Sequence, residues 1–66
     1  MKIIVNGCEQ NFESPVTIAL LVARLGLSGG RIAVEVNREI VPRSAHGTHE
    51  LRDHDRVEIV GAVGGG

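Results

Sequence analysis

The chain has 66 residues, a length that suits one small domain. Its formal net charge is −1 and its sequence pI is about 6.3, so the balance of charges gives no general attraction to nucleic acid or to an anionic membrane. No stretch is long and apolar enough for a transmembrane helix or a signal peptide. Cys8 is the single cysteine, which excludes an internal disulfide and favours a cytoplasmic location.

The N-terminal residues predict a β-hairpin. A β-branched apolar run ends at Asn6-Gly7, a dipeptide that is typical of two-residue hairpin turns. In the first strand Ile3 and Val5 should face the core, while Ile4 should lie on the opposite face. The second strand is expected to run from Cys8 to Glu13.

A single helix is predicted after the hairpin. Thr17 can cap it, because a threonine hydroxyl accepts a hydrogen bond from a backbone N–H of the first turn. Leu20 occupies the position where a reciprocal capping box would have an acid, and Gly26 is suited to ending the helix. Apolar residues recur at helical spacing and should form the core-facing side: Ile18, Leu21, Val22 and Leu25.

Three further strands are predicted in the second half of the chain. Residues 32–36 alternate between apolar and polar, and Asn37-Arg38-Glu39 then forms a tight turn. Ile40-Val41 is a short strand that Pro42 ends, as expected at the edge of a sheet. After an irregular polar segment, residues 56–60 form the last strand.

This order of elements predicts one layer of helix on one layer of sheet. One helix can cover one face of one sheet, and pairing the first and last strands in parallel at its centre gives a right-handed crossover. The predicted fold is therefore α+β, a ubiquitin-like β-grasp with a mixed sheet of four to five strands packed on one helix. Residues 1–60 would form the domain and residues 61–66 a flexible C-terminal tail.

The chemistry is expected at the tip of this tail. Gly64, Gly65 and Gly66 have no side chain, so they can enter a narrow slot in a partner that would exclude other residues. Fully extended from Gly61, the tail reaches roughly 20 Å. The α-carboxylate of Gly66 is the group at the tip that can react. We therefore expect Gly66 to be modified while Gly64 and Gly65 thread into partner sites.

A second candidate site is the face of the sheet that points away from the helix. Strand alternation places Ile4, Ala33, Glu35 and Val60 on this face, and Val63 follows in the tail. We interpret this mostly apolar set as a docking surface, because a protein that delivers its tail must be held while the tip reacts. The alternative is a scatter of ordinary surface apolar residues.

No pattern in the sequence indicates catalysis, metal binding or a bound cofactor. There is no phosphate-binding Gly-x-x-x-x-Gly-Lys loop and no pairing of a nucleophile with a base. His46, His49 and His54 match no zinc template, so we expect no metal site. Cys8 has no adjacent positive charge that would activate its thiol. We therefore expect a protein that is not an enzyme.

Four segments together resemble the ThiS family, the sulfur carriers of thiamin biosynthesis. They are the Ile-Ile-Val strand at 3–5, the Val-Asn-Arg-Glu-Ile-Val-Pro-Arg stretch at 36–43, the Asp-His-Asp turn at 53–55 and the Val-Gly-Gly-Gly end at 63–66. The resemblance covers the whole chain. The glycine end is common to ubiquitin-like carriers, whereas the 36–43 stretch and the short length point to the thiamin branch.

The resemblance implies a mechanism in which this chain is a co-substrate. An E1-like adenylating enzyme of the ThiF type would use ATP and Mg²⁺ to adenylate Gly66. A persulfide sulfur donor would convert the adenylate into a thiocarboxylate, which would supply sulfur to a thiazole synthase of the ThiG type. The alternatives are the small sulfur-carrier subunit of molybdopterin synthase, which is usually longer, and a non-covalent β-grasp interaction module.

Overall fold

The fold is a five-stranded mixed sheet with one helix packed on one of its faces. The computed structural model describes residues 1–13, 15–27 and 31–61. Its elements are β1 (Lys2–Val5), β2 (Cys8–Asn11), α1 (Ile18–Arg24), β3 (Ile32–Val36), β4 (Glu39–Val41), a 3₁₀ helix (Arg43–Ala45) and β5 (Arg56–Gly61). The strand order is β2-β1-β5-β3-β4, in which β1 and β5 are parallel and the other neighbours are antiparallel. The predicted β-grasp fold is confirmed.

Two tight turns have the same unusual backbone and connect neighbouring strands. Asn6 and Gly7 have φ angles of 49° and 84° between β1 and β2, and Asn37 and Arg38 have φ angles of 51° and 71° between β3 and β4. Two successive positive φ angles are the mark of a type I′ turn, whose twist matches that of the flanking strands. Both predicted turns are confirmed, and each has an asparagine in its first position because asparagine tolerates this conformation.

The core lies between the helix and the inner face of the sheet. The side chains predicted to face inward from β1, β3 and β5 are buried or half-buried, as are three of the four on the helix. Thr17 caps α1 as predicted, since its Oγ1 accepts a hydrogen bond of 3.2 Å from the Leu20 N–H. The buried apolar side chains are Ile3, Val5, Phe12, Val16, Ile18, Leu21, Val22, Val34, Val36, Val41, Leu51, Val57 and Ile59.

The prediction that Leu25 belongs to the core is wrong. Leu25 is 37% exposed because it lies just past Arg24, the last residue of α1. The chain then turns at Gly26, whose φ is 74° and whose N–H donates to the carbonyl of Ala23 at 3.0 Å. This left-handed glycine ends the helix as predicted, and it directs the neighbouring side chains away from the core.

Several other boundaries differ from the sequence prediction: β4 begins at Glu39, one residue before the predicted start, and β5 continues to Gly61, one residue past the predicted end. β2 ends at Asn11, two residues before the predicted Glu13, although Phe12 still reaches the core and its N–H donates to the Met1 carbonyl at 2.8 Å. The segment predicted to be irregular contains the 3₁₀ helix Arg43–Ala45. It also buries His46, whose Nε2 lies 3.0 Å from the Val41 carbonyl oxygen.

Candidate functional site

The strand that leads into the tail occupies the centre of the sheet. β5 lies between β1 and β3 and ends at Gly61, which is paired with Ile32 at the start of β3. The predicted tail therefore follows a strand that is paired on both sides. Val63, Gly64, Gly65 and Gly66 lie outside the described residues, so the roles assigned to them stay predictions.

The structure brings together three of the residues predicted to form the docking surface. Ala33 and Val60 are directly opposite each other on β3 and β5, and Glu35 is two residues further along β3 on the same face. Val60 is 63% exposed. Ile4 shares this face but pairs with Arg56, four residues before Val60, and is therefore about 13 Å from it along β5. Ile4 lies at the far end of the face from the tail.

Two further residues of the same face were not predicted from the sequence. Ile40 on β4 is 72% exposed and lies opposite Glu35. On the other side of β3, Glu58 of β5 is the cross-strand partner of Glu35. Two carboxylates at directly paired positions repel each other, which is unfavourable. Neither carboxylate forms an ion pair with any residue that the structure describes. The alternation with buried Val41 could have indicated Ile40, whereas the opposition of the two glutamates depends on strand register.

A shallow cavity of about 370 Å³ adjoins the base of the tail. It combines an apolar floor with two arginines, and it opens beside the exposed side chain of Val60. Its lining residues are Arg31, Ile32, Ala33, Arg43, Val60 and Gly61. The cavity thus joins Ala33 and Val60 of the predicted docking surface to Gly61 at the end of β5.

The three histidines have separate structural surroundings. His46 is buried and bonded to the Val41 carbonyl, His49 is half-buried, and the Nδ1 of exposed His54 lies 3.2 Å from an oxygen of Asp53. Within residues 1–13, 15–27 and 31–61, no three acidic, histidine or cysteine side chains are grouped so as to hold a metal ion. Cys8 is an exposed thiol at the start of β2.

Asp53 links the loop before β5 to the start of β1 by a hydrogen bond. Its Oδ1 accepts a hydrogen bond of 2.7 Å from the Lys2 N–H, and the His54 N–H donates to the Lys2 carbonyl at 2.6 Å. The hydrogen bond from Lys2, with a smaller contribution from His54, lowers the pKa of the Asp53 carboxyl. The bond belongs to the scaffold, because Lys2 lies at the end of β1 away from the tail.

The described part of the chain has no helix with both the length and the apolar character needed to cross a membrane.

Comparison with known proteins finds relatives that match this chain along its whole length. The profile of the ThiS family matches residues 3–66. A thiazole synthase of Paramagnetospirillum magneticum is 42% identical over 66 residues, which is 100% of this chain and 20% of that protein. The uncharacterized protein ycf40 of Porphyra purpurea is 37% identical over 67 residues, covering 100% of this chain and 93% of that protein. The chain thus spans about a fifth of the length of the thiazole synthase that it matches.

The fold is also that of a solved relative. The crystal structure of the thiamine biosynthesis protein (ThiS) from Geobacter metallireducens superimposes with a TM-score of 0.83, at 28% sequence identity and with 100% of both chains covered. A solution structure of a thiamine biosynthesis protein from the same organism gives a TM-score of 0.81.

Proposed function

The chain belongs to the ThiS family, and we propose from this membership that it is a sulfur carrier of thiamine biosynthesis and not an enzyme. The observation that carries the proposal is the extent of the family match, which runs through the final residue, Gly66. A match confined to the folded domain would support the β-grasp fold alone. A match that includes the glycine end also supports the use of the terminal carboxylate.

The chemistry of the tip requires activation by another protein. A carboxylate is a poor electrophile, so an E1-like adenylating enzyme transfers AMP from ATP to Gly66 and releases pyrophosphate, with Mg²⁺ bound to the phosphates. A persulfide sulfur then attacks the acyl-adenylate and displaces AMP, and reduction of the resulting acyl disulfide by a thiol leaves the terminal thiocarboxylate. The carrier supplies the carboxylate and its placement. The six residues from Gly61 to Gly66 span roughly 20 Å when extended, enough to carry the tip into a partner's interior.

The partner that consumes the sulfur is a thiazole synthase. Support comes from two thiazole synthases, of Paramagnetospirillum magneticum and Magnetococcus marinus, that each contain a segment matching all of this chain within a fifth of their length. A carrier segment and a synthase joined in one polypeptide stay at a high effective concentration, which is useful when one acts on the other.

The outer face of β5 and β3 is the surface that docks. Val60, Ala33 and Ile40 supply apolar area, and Glu35 with Glu58 supplies two carboxylates that a basic side chain of the partner can neutralise. The face adjoins the base of the tail. A partner bound there can hold the domain while the tip reacts.

An intact-mass experiment tests the proposal. The protein is incubated with ATP, Mg²⁺, a persulfide source and an E1-like adenylating enzyme, and fragmentation then locates any change in mass. We expect a gain equal to sulfur replacing oxygen, located on Gly66. Oxidation of Cys8 to a sulfenic acid adds nearly the same mass, so a Cys8→Ser variant is the control and should keep the gain. An unmodified Gly66 under conditions that activate another carrier would favour a non-covalent interaction module.

The requirement for a thin tail is tested by Gly65→Val. A β-branched side chain next to the reacting carbonyl should block entry into the partner's slot, so adenylation should fall by at least about a hundredfold, corresponding to some 3 kcal/mol of lost binding. Gly47→Val is the matched control, because a Cβ at Gly47 meets no atom within 4 Å. Normal adenylation of the Gly65→Val protein would refute the slot argument.

A further inference from the structure

An asparagine side chain continues the pairing of β5 where a neighbouring strand ends. β1 pairs with β5 at Ile4–Arg56 and Val5–Val57, and the chain then turns away at Asn6. The Asn6 N–H still donates to the Val57 carbonyl at 2.9 Å. Its side chain then reaches Ile59, two residues further along β5, whose backbone N–H and carbonyl also point toward the β1 side of the strand.

The Asn6 amide group makes the two hydrogen bonds that a paired backbone residue would make. Its Oδ1 accepts from the Ile59 N–H at 2.8 Å, and its Nδ2 donates to the Ile59 carbonyl at 3.2 Å. Both contacts are partly buried. Without them the N–H and carbonyl of Ile59 would lack these partners where water has little access, which is unfavourable. On the side of β5 that faces β1, the Ile59 backbone is therefore bonded to a side chain, whereas the other side of β5 is paired with β3.

We propose that Asn6 is a positioning residue that fixes the base of the C-terminal tail. The inference rests on the proposed carrier function, because it concerns how the reactive tip is presented. Ile59 lies two residues before Gly61, the end of β5. Loss of the Asn6 hydrogen bonds would therefore weaken the hold on β5 directly before the tail. Each loosened residue adds about 3.3 Å of unguided chain and more conformational freedom to be lost when the tip enters a partner.

The chain offers a matched control at the other end of the same strand. Asn37 has a similar φ in the same kind of turn, and its side chain also makes two hydrogen bonds. Its Oδ1 accepts from the Arg56 N–H at 3.0 Å, and its Nδ2 donates to Asp55 Oδ1 at 3.0 Å. Asn37 therefore holds the beginning of β5, whereas Asn6 holds the part that leads to the tail.

The test compares Asn6→Gly with Asn37→Gly. Glycine accepts the positive φ angles of 49° and 51°, so each variant keeps its turn and loses its two side-chain hydrogen bonds. Amide hydrogen exchange is measured on the free protein, relative to the slowest core amides, which report global unfolding. We expect exchange at Ile59 to rise about tenfold in Asn6→Gly, the scale of one to two lost hydrogen bonds, and to stay near the wild-type ratio in Asn37→Gly.

A kinetic readout separates tail placement from general stability. In ATP–pyrophosphate exchange catalysed by the E1-like adenylating enzyme, Asn6→Gly should raise the KM for the carrier about fivefold, with kcat within about twofold, because ordering the tail weakens binding. Asn37→Gly should leave both constants near wild type. Asn6→Asp keeps the acceptor for the Ile59 N–H but sets a carboxylate oxygen against the Ile59 carbonyl oxygen, so its KM for the carrier should also exceed that of wild type.

Each outcome decides the inference. Equal changes in Asn6→Gly and Asn37→Gly, in exchange or in KM, would overturn it, as would unchanged exchange at Ile59 in Asn6→Gly. If Asn6→Gly does not fold, Asn6→Asp answers the same question. If the wild-type protein is not adenylated, the proposed function fails, and exchange at Ile59 still decides whether Asn6 holds the base of the tail.

Discussion

Placing a charge at Val60 should separate docking from folding. Val60 is 63% exposed on the outer face of the sheet, so Val60→Glu removes little from the core. Its direct cross-strand neighbour is Ala33; Glu35 and Glu58 lie further along the same face, and two arginines line the cavity that adjoins Val60. Repulsion from the two glutamates, opposed by attraction to the two arginines, should change the free energy of unfolding by less than about 1 kcal/mol.

The expected loss of binding follows from the exposed part of the side chain. Burying a whole valine side chain is worth about 1.5–3 kcal/mol, so covering the 63% that Val60 exposes contributes about 1–2 kcal/mol. A glutamate that loses water in an apolar contact without a partner costs about 1–3 kcal/mol more. The sum of about 2–5 kcal/mol predicts that the Kd for the adenylating enzyme rises at least about thirtyfold.

Calorimetric titration of the adenylating enzyme with wild-type and variant carrier measures this Kd directly. Leu20→Glu is the matched control, because Leu20 is a 45% exposed apolar residue on the helix, which covers the opposite face of the sheet. Circular dichroism checks that both variants fold. Binding of Val60→Glu as tight as that of wild type, or an equal loss in Leu20→Glu, would refute the placement of the docking surface.

Three further predictions concern stability. Leu20→Glu should raise the stability by about 0.5–1 kcal/mol and the Tm by a few degrees, because it completes a capping box with Thr17; an unchanged Tm in a thermal melt would contradict this. Leu21→Ala should cost about 2–5 kcal/mol in urea denaturation, because Leu21 is fully buried, and a loss below about 1 kcal/mol would count against the core described. The lowered pKa of Asp53 means that its carboxylate stabilises the fold above the unfolded pKa of 3.8 and that this contribution disappears as the pH falls through the folded pKa. In Asp53→Asn the free energy of unfolding should therefore fall less steeply as the pH is lowered into the acid range. An unchanged acid dependence would argue against the bond to Lys2.

Much of the fold could be predicted from the sequence because its signals are local. Asn6-Gly7 in the first hairpin, Thr17 before the helix and Gly26 after it each state a backbone preference that holds in most surroundings. The structure confirms all three, and the alternation in β3 and β5 also placed the correct side chains inward. The modification of Gly66 is predicted in the same way, from residue type and position alone, and it stays a prediction because Gly66 lies outside the described residues.

The composition of the candidate docking surface depended on register. The alternation of side chains along β1 placed Ile4 on the outer face. Only its pairing with Arg56 showed that it lies at the end of this face away from the tail. The pairing of β3 with both of its neighbours likewise brought Ile40 and Glu58 to either side of Glu35. Register is a long-range property, because it depends on how strands distant in sequence align.

The sequence alone determined the turn at Asn6, since an asparagine before a glycine favours that backbone locally. Only the tertiary structure decided what the side chain of Asn6 does, because its partner Ile59 is 53 residues away. The same holds for Asn37, whose bonds to Asp55 and Arg56 also cross the fold. A local preference can be recognised from neighbouring residues, whereas a hydrogen bond between distant segments exists only once the chain has brought them together.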